Sequence, residues 1–151
     1  MNQKTIHNLS WIPLFLIGLG AVGLGLGWLL HPEPWMLDKP PNEALLQTSF
    51  SNLFAADINA HLQDYLKVIY RFFGWWVSSI GILIITYVQV TRMGTTLARN
   101  SILSVSLFIL IGATYMVLNF IPLSPFKTVL YLQAALWLIS AYFSTQLKDD
   151  S

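Results

Sequence analysis

Asp57, His61 and Asp64 follow one another at i, i+4 and i+7, a helical spacing that sets two carboxylates and an imidazole side by side. Such a set is half of a divalent metal site, and His31 or Glu33 would have to complete it. The simpler reading is an Asp–His pair on a solvated helix face. At about 100° per residue, the same side of that helix continues through Arg71, Trp75, Ser78, Ser79, Thr86 and Gln89. A stripe running from charged through aromatic to hydroxyl and amide could line a polar path, because polar groups at membrane depth are costly unless satisfied. It could equally be a solvated end followed by Ser and Thr hydroxyls bonded to their own backbone.

A second set of residues draws on three segments. Ser101, Ser104, Gly112, Tyr115 and Asn119 share one helical face, and Gln133, Trp137, Ser140 and Ser144 share another. Stripes of small and polar residues usually mark packing surfaces between membrane helices. If these faces turn inward, however, Arg71, Trp75, Tyr115, Asn119 and Gln133 meet at one depth. They would then bound an outer cavity suited to a lipid headgroup or a quinone-like guest. Trp137 falls deep in its segment, where its indole N–H requires a partner.

The elements that must position these groups are four apolar stretches, Trp11–Leu30, Phe72–Val90, Ile102–Ile121 and Val129–Phe143, none containing Asp, Glu, Lys, Arg or His. An α-helix needs roughly 20 such residues to cross a bilayer. The expected architecture is therefore an all-α, integral membrane four-helix bundle in a single domain over 1–151. Its spans are about 11–30, 72–90, 102–121 and 126–145, with an outer loop at 31–66. The second helix reads as continuous from Asp57 to Gln89, about 50 Å at about 1.5 Å per residue, so its first third projects beyond the hydrocarbon. In the loop, Pro32, Pro34, Pro40 and Pro41 predict extended or turn structure. Asn42 then stands where an N-cap would, opening a surface helix from Glu43 to about Phe54 with Leu45, Leu46, Phe50, Leu53 and Phe54 on its apolar face. Pro122 and Pro125 end the third helix and begin the fourth.

Only 10% of the 151 residues are charged, against roughly 25% in soluble domains. A net charge of +1 without a basic cluster gives nucleic acid nothing to grip. With no cysteine there is no thiolate chemistry. No cofactor motif is present. The first apolar run exceeds the roughly 7–15 residues of a secretory h-region and leads into His31-Pro32-Glu33-Pro34 rather than a small-residue cleavage site, so it reads as a retained span. Lys4, Arg92, Arg99 and Lys148 fall on the terminal side, against Lys39, Lys67, Arg71 and Lys127. The tie is broken by Arg92 and Arg99, tight against two span ends, which place both termini in the cytoplasm of a multi-pass cell-membrane protein.

The first span is rich in glycine. Gly23 and Gly27 form a G-x-x-x-G, and Gly18, Ala21 and Gly25 form a second seam, so this thin helix can meet two neighbours, or one neighbour and a partner subunit or second copy. Leu19, Val22 and Leu26 are left as its lipid-facing ridge. Trp11, Trp28, Trp35, Trp75 and Trp76 lie near span ends, as interfacial anchors do.

A glycine-rich first helix, an outer loop, the Tyr-Arg-Phe-Phe-Gly-Trp-Trp entry at Tyr70–Trp76 and two spans joined by a tight turn resemble the layout of small four-helix bacterial membrane families. DoxX-like proteins and domain-of-unknown-function families share it. The resemblance implies a four-helix bundle and an accessory place beside a larger membrane enzyme. Four-helix multidrug transporters are a poorer match, because the first span lacks their embedded Glu. The expected function is a non-catalytic membrane component, an accessory or scaffold that binds a partner subunit, lipid or apolar molecule. The alternative is a membrane enzyme or small transporter working from the outer cavity with His61, Asp64 and Arg71. An ion-coupled transporter ordinarily keeps an ionisable group within its spans, and these spans have none.

Cysteines introduced at Ser51 and Asn100 should label from opposite sides of the membrane with an impermeant maleimide. Labelling of both from one side would remove the four-span layout.

Overall fold

The computed structural model describes residues 1–121 and 123–147; Pro122, read above as a helix end, and Lys148, used in the charge balance, lie outside them. Among the described residues every regular element is helical: α1 (Gln3–Leu30), α2 (Lys39–Leu46), α3 (Phe50–Ala55), α4 (Leu62–Thr91), α5 (Thr96–Phe120) and α6 (Lys127–Ser144), with short 3-10 turns at Pro34–Asp38 and Asp57–Asn59. Three helices, α1, α4 and α5, are long and apolar enough to cross a membrane. The last, α6, has 18 residues, about 27 Å at about 1.5 Å per residue, slightly less than the roughly 30 Å of a hydrocarbon core.

Helix α1 begins eight residues before its apolar run because Asn2 caps it, its side chain accepting from Lys4 N at 3.2 Å. The expected surface helix from Glu43 to Phe54 is instead two helices. Pro40 and Pro41 do not extend the chain; they fall in the first turn of α2, where a missing N–H costs nothing. Asn42 is thus inside α2 and does not cap it. Gln47 then turns left-handed (φ 51°) and Ser49 opens α3, its hydroxyl accepting from Asn52 N at 3.2 Å. The second long helix also starts later than the expected Asp57. Asn59 donates to Leu53 O at 2.8 Å and Ala60 N to Asp57 O at 3.2 Å, which holds 57–60 in a turn of its own. From Leu62 to Thr91 the helix is unbroken.

Glycine sets the packing of α1 on α4. A Cβ added at Gly18 would lie 2.7 Å from Ile85 Cγ1, and one at Gly81 would lie 2.6 Å from Gly18 O; one at Gly25 would collide with Ser78 and the Gly74 carbonyl, and one at Gly74 would lie 2.5 Å from Gly25 O. Gly18 faces Gly81 and Gly25 faces Gly74, so the two helices run antiparallel along two glycines seven residues apart. The seam is the Gly18/Gly25 one. Gly23 has nothing within 4 Å and Gly27 only Leu37 Cδ1 at 3.8 Å, so the G-x-x-x-G pair is outside it. Leu19 and Leu26 are exposed as expected, whereas Val22 packs against Gly81.

Around this pair the remaining long helices are arranged unevenly. Helix α6 lies along α1, and α5 rests mainly on α6, touching α4 little. The Ser140 hydroxyl donates to Ser10 O where α6 crosses α1, with both residues fully buried. Trp137 finds the partner its depth demands, donating Nε1 to Leu103 O at 3.0 Å and tying α6 to α5. Leu14, Ile84, Val88, Met93 and Ile102 form the core. The outward faces are bare apolar surface, with Phe108 80% and Leu83 67% exposed.

Between α4 and α5 the chain passes through two consecutive left-handed residues, Arg92 (φ 50°) and Met93 (φ 54°), a conformation costing of order 1–3 kcal/mol at each non-glycine position. Arg99, only 3% exposed, holds this turn. Its guanidinium donates to Met93 O and Gly94 O, both at 3.1 Å, to Thr96 Oγ1 at 2.9 Å, and to Leu147 O beyond α6 at 3.4 Å.

Gly25→Val should separate α1 from α4 and cost about 1–3 kcal/mol, while Gly23→Val, which points into open space, should leave thermal stability in detergent within about 0.5 kcal/mol of the parent. Equal losses from both would show that the seam is misplaced.

Candidate functional site

The segment 34–55 and the start of α4 form a cleft of about 260 Å³, lined by Asn42, Leu45, Leu46, Phe50, Leu53, Leu62, Leu66 and Tyr70. Each wall follows from local chemistry. Helix α2 carries Asn42, Leu45 and Leu46 at helical spacing. Glu43, in the middle of α2, accepts from Phe50 N at 2.8 Å, and this folds α3 back onto α2; Lys39 sits 3.8 Å from the same carboxylate. Behind α3, Phe50 stacks on Phe54 at 5.4 Å between centroids, and Phe54 meets Trp35 edge-on at 5.6 Å. The opposite wall is the first two turns of α4, where Leu62, Leu66 and Tyr70 recur every four residues.

At one end the cleft becomes polar. Tyr70 donates its hydroxyl proton to Asp38 Oδ1 at 3.0 Å, and Asn42 Nδ2 donates to the same oxygen at 2.9 Å and to the Tyr70 oxygen at 2.7 Å. Burial raises the Asp38 carboxyl above its ordinary value, and the hydrogen bonds from Tyr70 and Asn42 offset only part of this. These three residues lie up to 32 positions apart in sequence and anchor the segment 34–55, the cap of the cleft, on α4.

The residues singled out from sequence are distributed differently. Arg71, Trp75, Tyr115 and Asn119 all stand on exposed faces, Asn119 bonding the Tyr115 carbonyl of its own helix at 2.9 Å. Gln133 is half-buried and lines another cavity, of about 40 Å³, together with Ile17, Ile84, Ser106, Leu110 and Trp137. On α4, Ser79 bonds the Trp75 carbonyl at 2.8 Å, the backbone alternative for that stripe, while the Ser78 hydroxyl is buried against α1 with no hydrogen-bond partner among the described residues. The Asp57/His61/Asp64 spacing does not apply, since Asp57 lies in a separate 3-10 turn and His61 stands just before the first turn of α4, outside the helix. Among the described residues there is no group of three His, Cys, Asp or Glu able to hold a metal.

The sequence showed one apolar wall, Leu45, Leu46, Phe50 and Leu53 as the face of a surface helix, but not its convergence on Leu62 and Leu66 of α4. Asp38 and Asn42, four apart, and Tyr70, which opens the aromatic entry to α4, were the available signal.

Because the folded state holds Asp38 with a raised pKa, its contribution to stability is complete below the ordinary value of 3.8 and is lost as pH rises through the folded value. Subtracting the pH–melting curve of Asp38→Asn from that of the parent should therefore leave a difference that falls with rising pH in the acid range. A difference that rises with pH would contradict the burial of this carboxyl.

Comparisons with protein-family models, with curated proteins and with solved structures find no match to this chain, so what the cleft does must be read from its own geometry.

Proposed function

We propose that this protein is a non-catalytic, four-span membrane protein with cytoplasmic termini that holds a lipid or other apolar molecule under its outer cap, as an accessory or scaffold component for a membrane partner. The apolar belts of α1, α4 and α5 support the membrane setting, with α6 packed along α1 as the fourth span. The observation that carries the binding reading is the cleft itself: six apolar side chains around about 260 Å³ with polar groups gathered at one end. That volume is just below the roughly 300–1,000 Å³ of drug-sized pockets, enough for part of one chain and too little for a diacyl lipid. The catalytic or transport alternative has less behind it, since His61, Asp64 and Arg71 are exposed and none of them lines the cleft.

Leu66→Trp should fill the cleft from the α4 side. Native mass spectrometry of protein purified from membranes should find a co-purifying lipid on the parent, reduced about tenfold in the variant, the weight of about 1.4 kcal/mol, with the melting temperature changed little. Equal lipid occupancy in both would overturn the reading.

A further inference from the structure

The hydrogen-bond protons at the polar end of the cleft can be counted individually. Tyr70 has one hydroxyl proton, and it goes to Asp38; Asn42 has two amide protons, and they go to Asp38 and to the Tyr70 oxygen. The orientation of the Asn42 amide follows from its surroundings, because Asp38 Oδ1 accepts from Tyr70 and its other neighbour must present nitrogen to it. All three donor protons are thereby turned away from the cleft. What Asn42 and Tyr70 have left to offer a guest is acceptors: Asn42 Oδ1, which has no partner among the described residues, and the remaining lone pair of the Tyr70 oxygen. Behind both stands the Asp38 carboxylate, adding negative charge to an end that already lacks donors.

An acceptor-only end selects its complement. A carbonyl, ester, quinone or phosphate head brings lone pairs to lone pairs and leaves its own oxygens unpaired on leaving water, which costs about 1–3 kcal/mol for each unsatisfied group. A hydroxyl or ammonium brings a proton to a waiting oxygen. The apolar remainder of the cleft, walled by Phe50, Leu62 and Leu66, takes an aliphatic chain.

We propose that the cleft recognises a single aliphatic chain ending in a hydrogen-bond donor, a long-chain alcohol or amine, and rejects chains whose heads only accept. This rests on the binding reading above and specifies its ligand class; it removes the quinone-like guest from consideration at this site.

The test titrates the purified full chain in detergent with 1-decanol, decylamine and decyl methyl ether, with occupancy read by native mass spectrometry. The ether keeps the chain and the oxygen and carries a methyl group where the alcohol has its proton. Alcohol and amine should bind about tenfold more tightly than the ether, the effect of one hydrogen bond. Asn42→Leu should erase that preference while the chain still binds. Should that variant fail to fold, Tyr70→Phe serves instead: it releases one Asn42 amide proton into the cleft, so ether binding should improve relative to alcohol. Equal affinity of all three compounds for the parent would overturn the donor rule and leave the apolar site standing. Binding of none of them would remove the site and the rule together.

Discussion

The close approach of α1 and α4 is the constraint from which the rest of the architecture follows. Two glycines on each helix, seven residues apart, bring backbone so near to backbone that a single added methyl group would meet a carbonyl or amide. In the proposed membrane setting, where the medium is as apolar as the side chains themselves, burial gives helices no reason to associate, and contact must come from close packing and hydrogen bonds. A glycine seam supplies the former over many atoms at small individual gain. Once α4 is fixed on α1, its first two turns project at a set angle beyond the end of α1. That projection is the wall on which α2 and α3 are laid, so the cleft owes its width to a seam several turns away.

The opposite end of the bundle is held by different means. Arg92 and Met93 adopt a strained conformation so that α5 can turn back at once, and the Arg99 guanidinium gathers the carbonyls that this turn exposes. The same group reaches the carbonyl of Leu147 after α6, so one buried cation joins three helix ends. Its planar fork of donors suits the task in a way that a lysine ammonium would not. From sequence, Arg99 counted only as a positive charge beside a span end; its burial depends on the fold of a turn whose left-handed residues are not glycine.

How much could be read in advance follows the range of the interactions. The long apolar helices were plain, because hydrophobicity over 20 residues is a local sum. The partner of Trp137 was foreseen as a need and not as an identity. The glycine seam was half legible: both candidate pairs were visible on α1, but only the positions of Gly74 and Gly81 on α4 decide between them. The segment 34–55 was least legible. Prolines that read as chain extension became the first turn of a helix, and Asn42, freed from capping, turned to residues 4 positions before it and 28 after it. Polar groups spread over Arg71, Trp75, Tyr115, Asn119 and Gln133 shared a helical depth, yet depth alone does not bring faces together when α5 leans away from α4.

That leaning has a bearing on how the chain is made. A ribosome delivers helices in order, and in the proposed membrane setting α5 enters the bilayer before α6 exists. It meets α4 at few points and is left facing lipid on nearly every side. It must therefore persist as a solitary span, and its 25 residues, with Arg99 as its charged residue near one end, satisfy that demand by composition alone. The arrangement is reversed for α6, the shorter and more polar helix with Lys127 and Gln133. It follows α5 in the chain and packs along α1 with α5 resting on it, so the serine and tryptophan that fasten it need no partner until α6 itself is present. The order of synthesis is thus written into the uneven apolarity of the last two helices.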